Sequence, residues 1–359
     1  MTKSANHHQR LNLLQVFRGL AAVMVVLAHC DLIFNQNFQK DFFGKIFNFG
    51  SSGVDFFFVL SGFLLLYIHQ SDIGNRSKLK SFFLKRVTRI YPIYWVVLTL
   101  KLSASLFFGY DPDTSQRSIL EIFKAYILFP QSQEILSSSF LGVSWTLSFE
   151  VFFYLIFALL IGLKPKLSFP IIFTWLLFAL AHFVGIFDLP KSSLMLNFIL
   201  NEYNLEFFLG CVAAYVVSKH KIPQEMSLLC LGTFFYTLGV INSYYKAVDI
   251  SSVISFGIPS MLLVIGATSL EMRKYVHVNE VFIYIGNASY SIFLIHGFAI
   301  NNITRFILKV APDITQNSLI LNLLGIIIAV IGVILGCGVY SYIEKPLIST
   351  LKPKKVVTT

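Results

Sequence analysis

Two residues whose side chains could take part in binding or catalysis, Arg18 and His29, lie within the first long apolar stretch of the chain, residues 11–33. A charged side chain at the centre of a membrane-spanning helix costs roughly 2.5–3.5 kcal/mol, so such a residue is a functional candidate. In an α-helix their spacing places both side chains on one face, about 16 Å apart along the axis. One helix face therefore carries a fixed cation at one depth and a titratable imidazole at another. This arrangement predicts binding near one membrane face and chemistry nearer the other.

The composition is that of a multi-helix membrane protein. Of the 359 residues, 56% are hydrophobic and only 13% are charged, whereas a soluble domain carries about 25% charged residues. We predict an all-α integral membrane protein with about ten transmembrane helices. The predicted spans are approximately 12–33, 52–70, 88–108, 143–163, 168–187, 193–217, 226–244, 252–270, 282–305 and 318–341. Residues 1–345 are expected to form one transmembrane domain, and residues 346–359 a short basic cytoplasmic tail.

Lysine and arginine residues predict the orientation. Most of the 28 fall in alternate loops, and such residues favour the cytoplasmic side. We therefore expect both termini to be cytoplasmic and the longest loop, 109–142, to lie outside. Within that loop an amphipathic patch, 119–129, fits either an interfacial or a re-entrant position. The net charge of +10 follows from the loop asymmetry and does not indicate nucleic-acid binding.

Three arginines form an inner group once the spans are sorted by depth. Arg86 and Arg89 lie near the cytoplasmic end of the third span, three residues apart and so neighbours on one helix face. Arg18 lies at a similar depth in the first span. A guanidinium group can hold a phosphate through two hydrogen bonds, so this group predicts a site for a phosphorylated ligand. The alternative is that Arg86 and Arg89 are ordinary positive-inside anchors.

An outer group combines histidine with carboxylates. His29, Asp55 and Glu150 lie toward the outer side, and this combination suits general acid–base catalysis because a carboxylate can orient the imidazole. The alternatives are a helix–helix hydrogen bond for His29 and a structural pair for the two carboxylates. Further polar residues at mid to outer depth are Glu202, Glu206 and His296. The four cysteines have no C-x-x-C spacing, and no metal site is expected.

Six motifs, in order along the chain, resemble those of the bacterial membrane acyltransferase family 3. They are the spacing of Arg18 and His29, GVDFFFVLSGFL at 53–64, RVTRIYP at 86–92, SWTLSFE at 144–150, YSIFLIH at 290–296 and YIEKP at 342–346. One motif alone would be weak evidence for the resemblance, but six motifs in the same order over nearly the whole chain are specific evidence. The resemblance implies a fold of about ten transmembrane helices. The extracytoplasmic hydrolase-like domain that some members carry is expected to be absent.

The resemblance implies an acyl-CoA-dependent O-acyltransferase of a bacterial cytoplasmic (inner) membrane. The enzyme would move an acyl group, expected to be acetyl, from acyl-CoA to a hydroxyl of a cell-surface or lipid-linked carbohydrate. The expected partners are acetyl-CoA as donor, the carbohydrate acceptor and membrane lipid. Nucleic acid and metal are not expected, and the sequence leaves open whether the chain forms a homo-oligomer.

The resemblance also assigns roles to the two groups. The residues expected to bind the donor are Arg18, Arg86 and Arg89. The catalytic candidates are His29, Glu150, Asp55 and His296. His29 would deprotonate the acceptor hydroxyl, with Asp55 or Glu150 orienting it, and a covalent route through His29 stays open.

Two other classes of protein fit the same pattern. A transporter or flippase of lipid-linked sugars would have the same size and a similar polar interior, but it would not depend on CoA. An acyltransferase acting on a lipid or small molecule would differ only in its acceptor pocket, which the sequence does not identify.

Overall fold

A computed structural model describes residues 11–108, 118–190, 192–311 and 317–351, and within these ranges every regular element is helical. This confirms the all-α prediction. The α-helices are α1 (Asn12–Phe38), α2 (Gly53–His69), α3 (Leu79–Phe108), α4 (Ile119–Tyr126), α5 (Gln133–Ser139), α6 (Ser144–Gly162), α7 (Pro165–Phe183), α8 (Leu194–Ile199), α9 (Tyr203–Lys219), α10 (Glu225–Tyr245), α11 (Ile258–Arg273), α12 (Glu280–Val310), α13 (Ser318–Val339) and α14 (Lys345–Leu351). The 3₁₀ segments are Phe42–Ser52, Gln70–Asp72 and Arg76–Lys78, and the π-helical turns are Val253–Gly257 and Tyr340–Glu344.

Eight helical segments of the described chain are long and apolar enough to cross a membrane. They are Asn12–Phe38, Phe42–Asp72, Ser144–Gly162, Pro165–Phe183, Glu225–Tyr245, Val253–Arg273, Glu280–Val310 and Ser318–Leu351. Helix α3, with 30 residues, and helix α9, with 17, overlap the two remaining predicted spans. The chain is therefore a multi-pass membrane protein, while the count of ten and the cytoplasmic termini stay predictions.

One predicted span, 193–217, is not a single helix. The chain breaks between α8 and α9, where the last carbonyls of α8 lack partners within that helix. Asn204 satisfies two of them, because its Nδ2 donates to the carbonyl oxygens of Phe198 and Ile199, both at 3.0 Å. The buried amide of Asn204 thus holds the break in a defined shape, which apolar periodicity alone does not reveal.

Glycines allow the central helices to touch backbone to backbone. A Cβ added at Gly62 of α2 would lie 1.9 Å from the carbonyl oxygen of Phe207, and one at Gly210 of α9 would lie 1.8 Å from that of Val59. Small residues at such crossings are how membrane helices pack closely. Helices α1 and α12 approach equally closely at Gly286. These two contacts fix α1, α2 and α12, which carry most of the site described below.

The predicted amphipathic patch, 119–129, contains α4 and lies against the middle of α3. The Tyr94 hydroxyl donates to the carbonyl of Ala125 at 2.7 Å, and Trp95 Nε1 donates to that of Tyr126 at 2.9 Å. Because Tyr94 and Trp95 are central in the 30-residue helix α3, this contact favours the re-entrant position over the interfacial one. Residues 109–117 of the same loop lie outside the described residues.

Candidate active site

A narrow cavity of about 70 Å³ lies between α1, α2, α3, α6 and α12. Its wall is mostly apolar, from Val54, Phe57 and Leu64 among others, with a few polar groups facing inward. The polar lining residues are Arg18, Ser61, Arg89, Thr146, Glu150, Ser289 and Tyr290. Two of the three predicted arginines therefore meet in one cavity although they come from different helices.

The two guanidinium groups of this cavity lie near two carboxylates. Arg18 and Arg89 both lie within electrostatic range of Glu150 and Glu344, and Arg18 Nη1 also donates to Gln15 Oε1 at 3.1 Å. Buried charges in proteins are stable only when paired and hydrogen-bonded. Two arginines and two glutamates therefore lie close enough around the cavity to influence one another electrostatically.

The predicted partner Arg86 does not line the narrow cavity. Its Nη2 donates to His69 Nε2 at 2.7 Å, and His69 Nδ1 lies 2.8 Å from Asp72 Oδ2. Because arginine can only donate, His69 must accept at Nε2 and donate from Nδ1 to the carboxylate. The guanidinium also lies over the rings of Phe82 and Tyr154, at 5.6 and 5.5 Å from their centroids. Arg86 is therefore held by protein groups at Nη2 and over the face of its guanidinium, whereas its Nε has no hydrogen-bond partner among the described residues.

This packing connects Arg86 with the cavity indirectly. Tyr154, which lies under the Arg86 guanidinium, donates its hydroxyl to Glu150 Oε1 at 2.5 Å, and Glu150 lines the cavity. Arg86 thus contacts the residue that fixes the orientation of a cavity carboxylate. That Arg86 itself binds the donor stays a prediction.

A wide cavity of about 690 Å³ lies in the half of the bundle formed by the C-terminal parts of α1, α3 and α12. Its amide side chains are Gln36, Asn37, Gln133, Asn301 and Asn302. Its charged side chains are Lys101, Glu134 and Arg305. His29 and Trp145 also line it. This volume lies within the range of pockets that bind small organic ligands, about 300–1,000 Å³.

His29 meets a second histidine, His296, at this cavity. Their rings are 4.8 Å apart between centroids and nearly perpendicular, at 78°. His29 Nδ1 lies 2.9 Å from the Val25 carbonyl, and His296 Nδ1 lies 3.0 Å from the Ile292 carbonyl. A carbonyl can only accept, so both Nδ1 atoms carry hydrogen and both Nε2 atoms present lone pairs. The arrangement places a neutral imidazole base at the wall of the wide cavity.

The two carboxylates expected beside His29 lie elsewhere. Glu150 lines the narrow cavity with the arginines. Asp55 is buried within reach of Glu206 and Ser252, and Ser252 Oγ donates to Glu206 Oε1 at 3.1 Å. The orientation of His29 comes instead from a main-chain carbonyl one turn earlier in its own helix. No residue type in the sequence indicates that hydrogen bond, because the acceptor is a main-chain carbonyl and every helical residue has one.

The two cavities are lined by neighbouring residues of the same helices. On α12, Phe293 lines the narrow cavity and the next residue, Leu294, lines the wide one. On α6, Thr146 lines the narrow cavity and Trp145 the wide one. The Phe293 ring also lies 5.9 Å from that of His296. Neighbouring residues of α6 and α12 thus line both cavities, while Arg18 and His29 are about 16 Å apart along the axis of α1.

Comparison with known proteins gives one family and several relatives. The profile of the family described as acyltransferase domain matches residues 11–342. Exopolysaccharide production protein ExoZ of Rhizobium meliloti (strain 1021) is 28% identical over 324 residues, which cover 87% of this chain and 94% of that protein. The putative acetyltransferase ORF330 of Acidianus two-tailed virus is 27% identical over 257 residues, covering 70% and 74% respectively. No solved structure matches the chain.

Proposed function

Since the chain belongs to the bacterial membrane acyltransferase family 3, we propose that this acyltransferase moves an acetyl group from acetyl-CoA to a hydroxyl of a cell-surface or lipid-linked carbohydrate. The observation that carries the proposal is the pair of adjoining cavities, one with arginines and one with a histidine base. A donor and an acceptor could enter from opposite faces and meet between them. The proposed location is the bacterial inner membrane, with the arginine half facing the cytoplasm.

The narrow cavity supports a thin donor segment. Its 70 Å³ is far below the about 300–1,000 Å³ of pockets that bind whole small organic ligands, so a nucleotide would not fit. Only the acetyl-thioester end of the pantetheine arm, a few heavy atoms long, would occupy it. The phosphates would then stay at the cytoplasmic mouth, and Arg18 and Arg89 would attract the anionic donor toward the cavity.

The wide cavity supports a polyhydroxylated acceptor. Its amide side chains each offer both donors and acceptors of hydrogen bonds, and hydroxyl groups need both. Trp145 supplies an apolar face on which a sugar ring could lie. The name of the relative ExoZ refers to exopolysaccharide production, which agrees with a carbohydrate acceptor for this chain.

The chemistry would need one base between the two substrates. His29 Nε2 takes the proton of the acceptor hydroxyl, and the oxygen attacks the thioester carbonyl carbon. The tetrahedral intermediate then collapses, the carbon–sulfur bond breaks, and the CoA thiolate takes the proton from His29. The products are the acetyl ester and CoA with a free thiol, and His29 returns to its neutral form.

The decisive experiment is transfer by the purified protein in lipid nanodiscs. Radiolabelled acetyl-CoA is supplied together with surface polysaccharide isolated from a strain that lacks the gene. Label in the polysaccharide, confirmed as ester-bound acetyl by mass spectrometry, is the expected result. Label in lipid or in a small soluble product would assign the acceptor to the alternative classes, and transport of the glycan without CoA consumption would overturn the proposal.

A further inference from the structure

The last of the six motifs, YIEKP at 342–346, carries a buried carboxylate to which the chemistry above assigns no role. Glu344 is 6% exposed and ends a π-helical turn, in which the Lys345 N–H donates to the carbonyl of Tyr340, five residues earlier rather than four. The turn directly precedes Pro346, which has no N–H and whose ring would clash with the carbonyl four residues before it in an α-helix. One extra residue in a turn rotates the side chains that follow by about 100°. The wide turn therefore sets the direction in which Glu344 leaves its helix.

A hydroxyl group of α12 holds the Glu344 carboxylate. The Ser291 hydroxyl donates to Glu344 Oε2, and the Ser291 side chain is fully buried. The two residues before it, Ser289 and Tyr290, line the narrow cavity. Glu344 is therefore bonded to the part of α12 that forms the cavity wall, beside the cavity rather than in it.

The cations within electrostatic range of Glu344 are Arg89 and Arg18, and the π-helical turn packs against α3, the helix that carries Arg89. A carboxylate and a guanidinium attract each other strongly where little water screens them. Even so, neither arginine forms an ion pair with a carboxylate among the described residues. The Glu344 carboxylate is bonded to a neutral hydroxyl instead, which leaves both guanidinium groups near an anion but not occupied by it.

We propose that Ser291 is a positioning residue that holds Glu344 away from the arginines of the narrow cavity. The inference rests on the proposed function, in which Arg18 and Arg89 attract the anionic donor. A carboxylate that turned onto Arg89 would cancel much of its charge and would compete with the donor for its N–H groups. Because the Ser291 hydroxyl satisfies Glu344 without using a cation, the arginines stay open to acetyl-CoA.

The test is a double-mutant cycle on Ser291 and Glu344, measured as the Kd for acetyl-CoA in nanodiscs. Ser291→Ala frees the carboxylate, so the Kd should rise about tenfold, the effect of losing one charge-assisted hydrogen bond to the donor. Glu344→Gln removes the competing charge and keeps an acceptor for Ser291, so its Kd should not exceed that of the wild type. In Ser291→Ala/Glu344→Gln no anion is left to compete, and the Kd should return to within about twofold of the Glu344→Gln value.

The matched control is Ser260→Ala on α11. Ser260 is also a fully buried helical serine, but its hydroxyl has no partner among the described residues and it lines neither cavity. Its Kd should equal that of the wild type. The melting temperature of every variant is measured alongside, because recovery of binding in the double variant without recovery of stability separates competition from packing.

The outcomes separate this inference from the proposed function. A double variant that binds acetyl-CoA as weakly as Ser291→Ala would show that Ser291 only supports packing and would overturn the inference. An unchanged Kd in Ser291→Ala, or weaker binding in Glu344→Gln than in the wild type, would overturn it as well. Wild-type protein that binds acetyl-CoA but transfers no acetyl to the polysaccharide would overturn the proposed function, while the cycle would still decide the inference. Wild-type protein that does not bind acetyl-CoA would overturn both.

Discussion

Arg86 and Arg89 lie three residues apart on α3, yet only Arg89 lines the narrow cavity. The difference comes from the partner helix: the Arg86 guanidinium is bonded by His69 at the end of α2, whereas Arg89 lies near the carboxylates of Glu150 and Glu344. Two adjacent arginines of one motif therefore have different surroundings. The first is bonded to a protein side chain, and the second lines the cavity.

Because of this difference, we expect replacement of Arg89 to weaken acetyl-CoA binding and replacement of Arg86 to lower thermal stability. Arg89→Ala should raise the Kd for acetyl-CoA at least tenfold, because it removes a charged contact worth about 1.5–3 kcal/mol. Arg86→Ala should instead lower thermal stability, since it leaves the buried Nε2 of His69 without a donor, at a cost of about 1–3 kcal/mol. Isothermal titration and a thermal melt of the detergent-solubilised protein measure the two effects.

The control for both variants is Lys85→Ala, a change on the same helix at an exposed residue. It should alter neither binding nor stability beyond the experimental error. Equal losses of acetyl-CoA affinity in Arg86→Ala and Arg89→Ala, with unchanged melting temperatures, would show that Arg86 also contacts the donor.

The second prediction concerns His29. Glutamine approximates its size and hydrogen bonding but cannot take a proton at neutral pH. His29→Gln should therefore lower kcat by about 10²–10⁴, the usual contribution of a general base, while acetyl-CoA binding stays unchanged. The steady-state rate and a binding isotherm on the same preparation check both parts. Retention of most of the activity would place the base at another residue.

The sequence predicted the all-α membrane fold and the meeting of Arg18 with Arg89, because both follow from composition and from the depth of each residue in its span. The position of Arg18 and His29 on one face of α1 holds, since α1 is continuous from Asn12 to Phe38. The neighbours of each group were harder to predict. Depth alone groups Glu150 and Asp55 with His29, but depth does not specify the angle at which a side chain leaves its helix.

Tertiary contacts decided where these carboxylates lie. Helix α2 crosses α9 so closely that Asp55 meets Glu206, a residue far away in the sequence. Glu150 is held by Tyr154, one turn along its own helix, and this i,i+4 pair was readable from the sequence in principle. The main-chain carbonyl that orients His29 could not be distinguished by residue type.

The third prediction is topological. With α10 running outward and α11 inward, Val248 should face the outside and Tyr275 the cytoplasm, and both are exposed, at 59% and 80%. In a background whose native cysteines are replaced, Val248→Cys should react with a membrane-impermeant maleimide on intact spheroplasts. Tyr275→Cys should react only after the membrane is opened. The reverse pattern would exchange the donor and acceptor sides.

The fourth prediction tests the helix crossing that supports the site. In Gly62→Ala the new methyl would overlap the carbonyl oxygen of Phe207, at 1.9 Å, so α2 and α9 must separate. Overpacking of this kind costs about 1–3 kcal/mol, and the melting temperature should fall accordingly. Gly338→Ala is the matched control, because it adds the same methyl to a helical glycine where nothing lies within 4 Å. Since Ser61, the neighbour of Gly62, lines the narrow cavity, Gly62→Ala should also weaken acetyl-CoA binding, whereas the control should leave it unchanged. Equal melting temperatures for the two variants would mean that α2 and α9 are further apart than the structure shows.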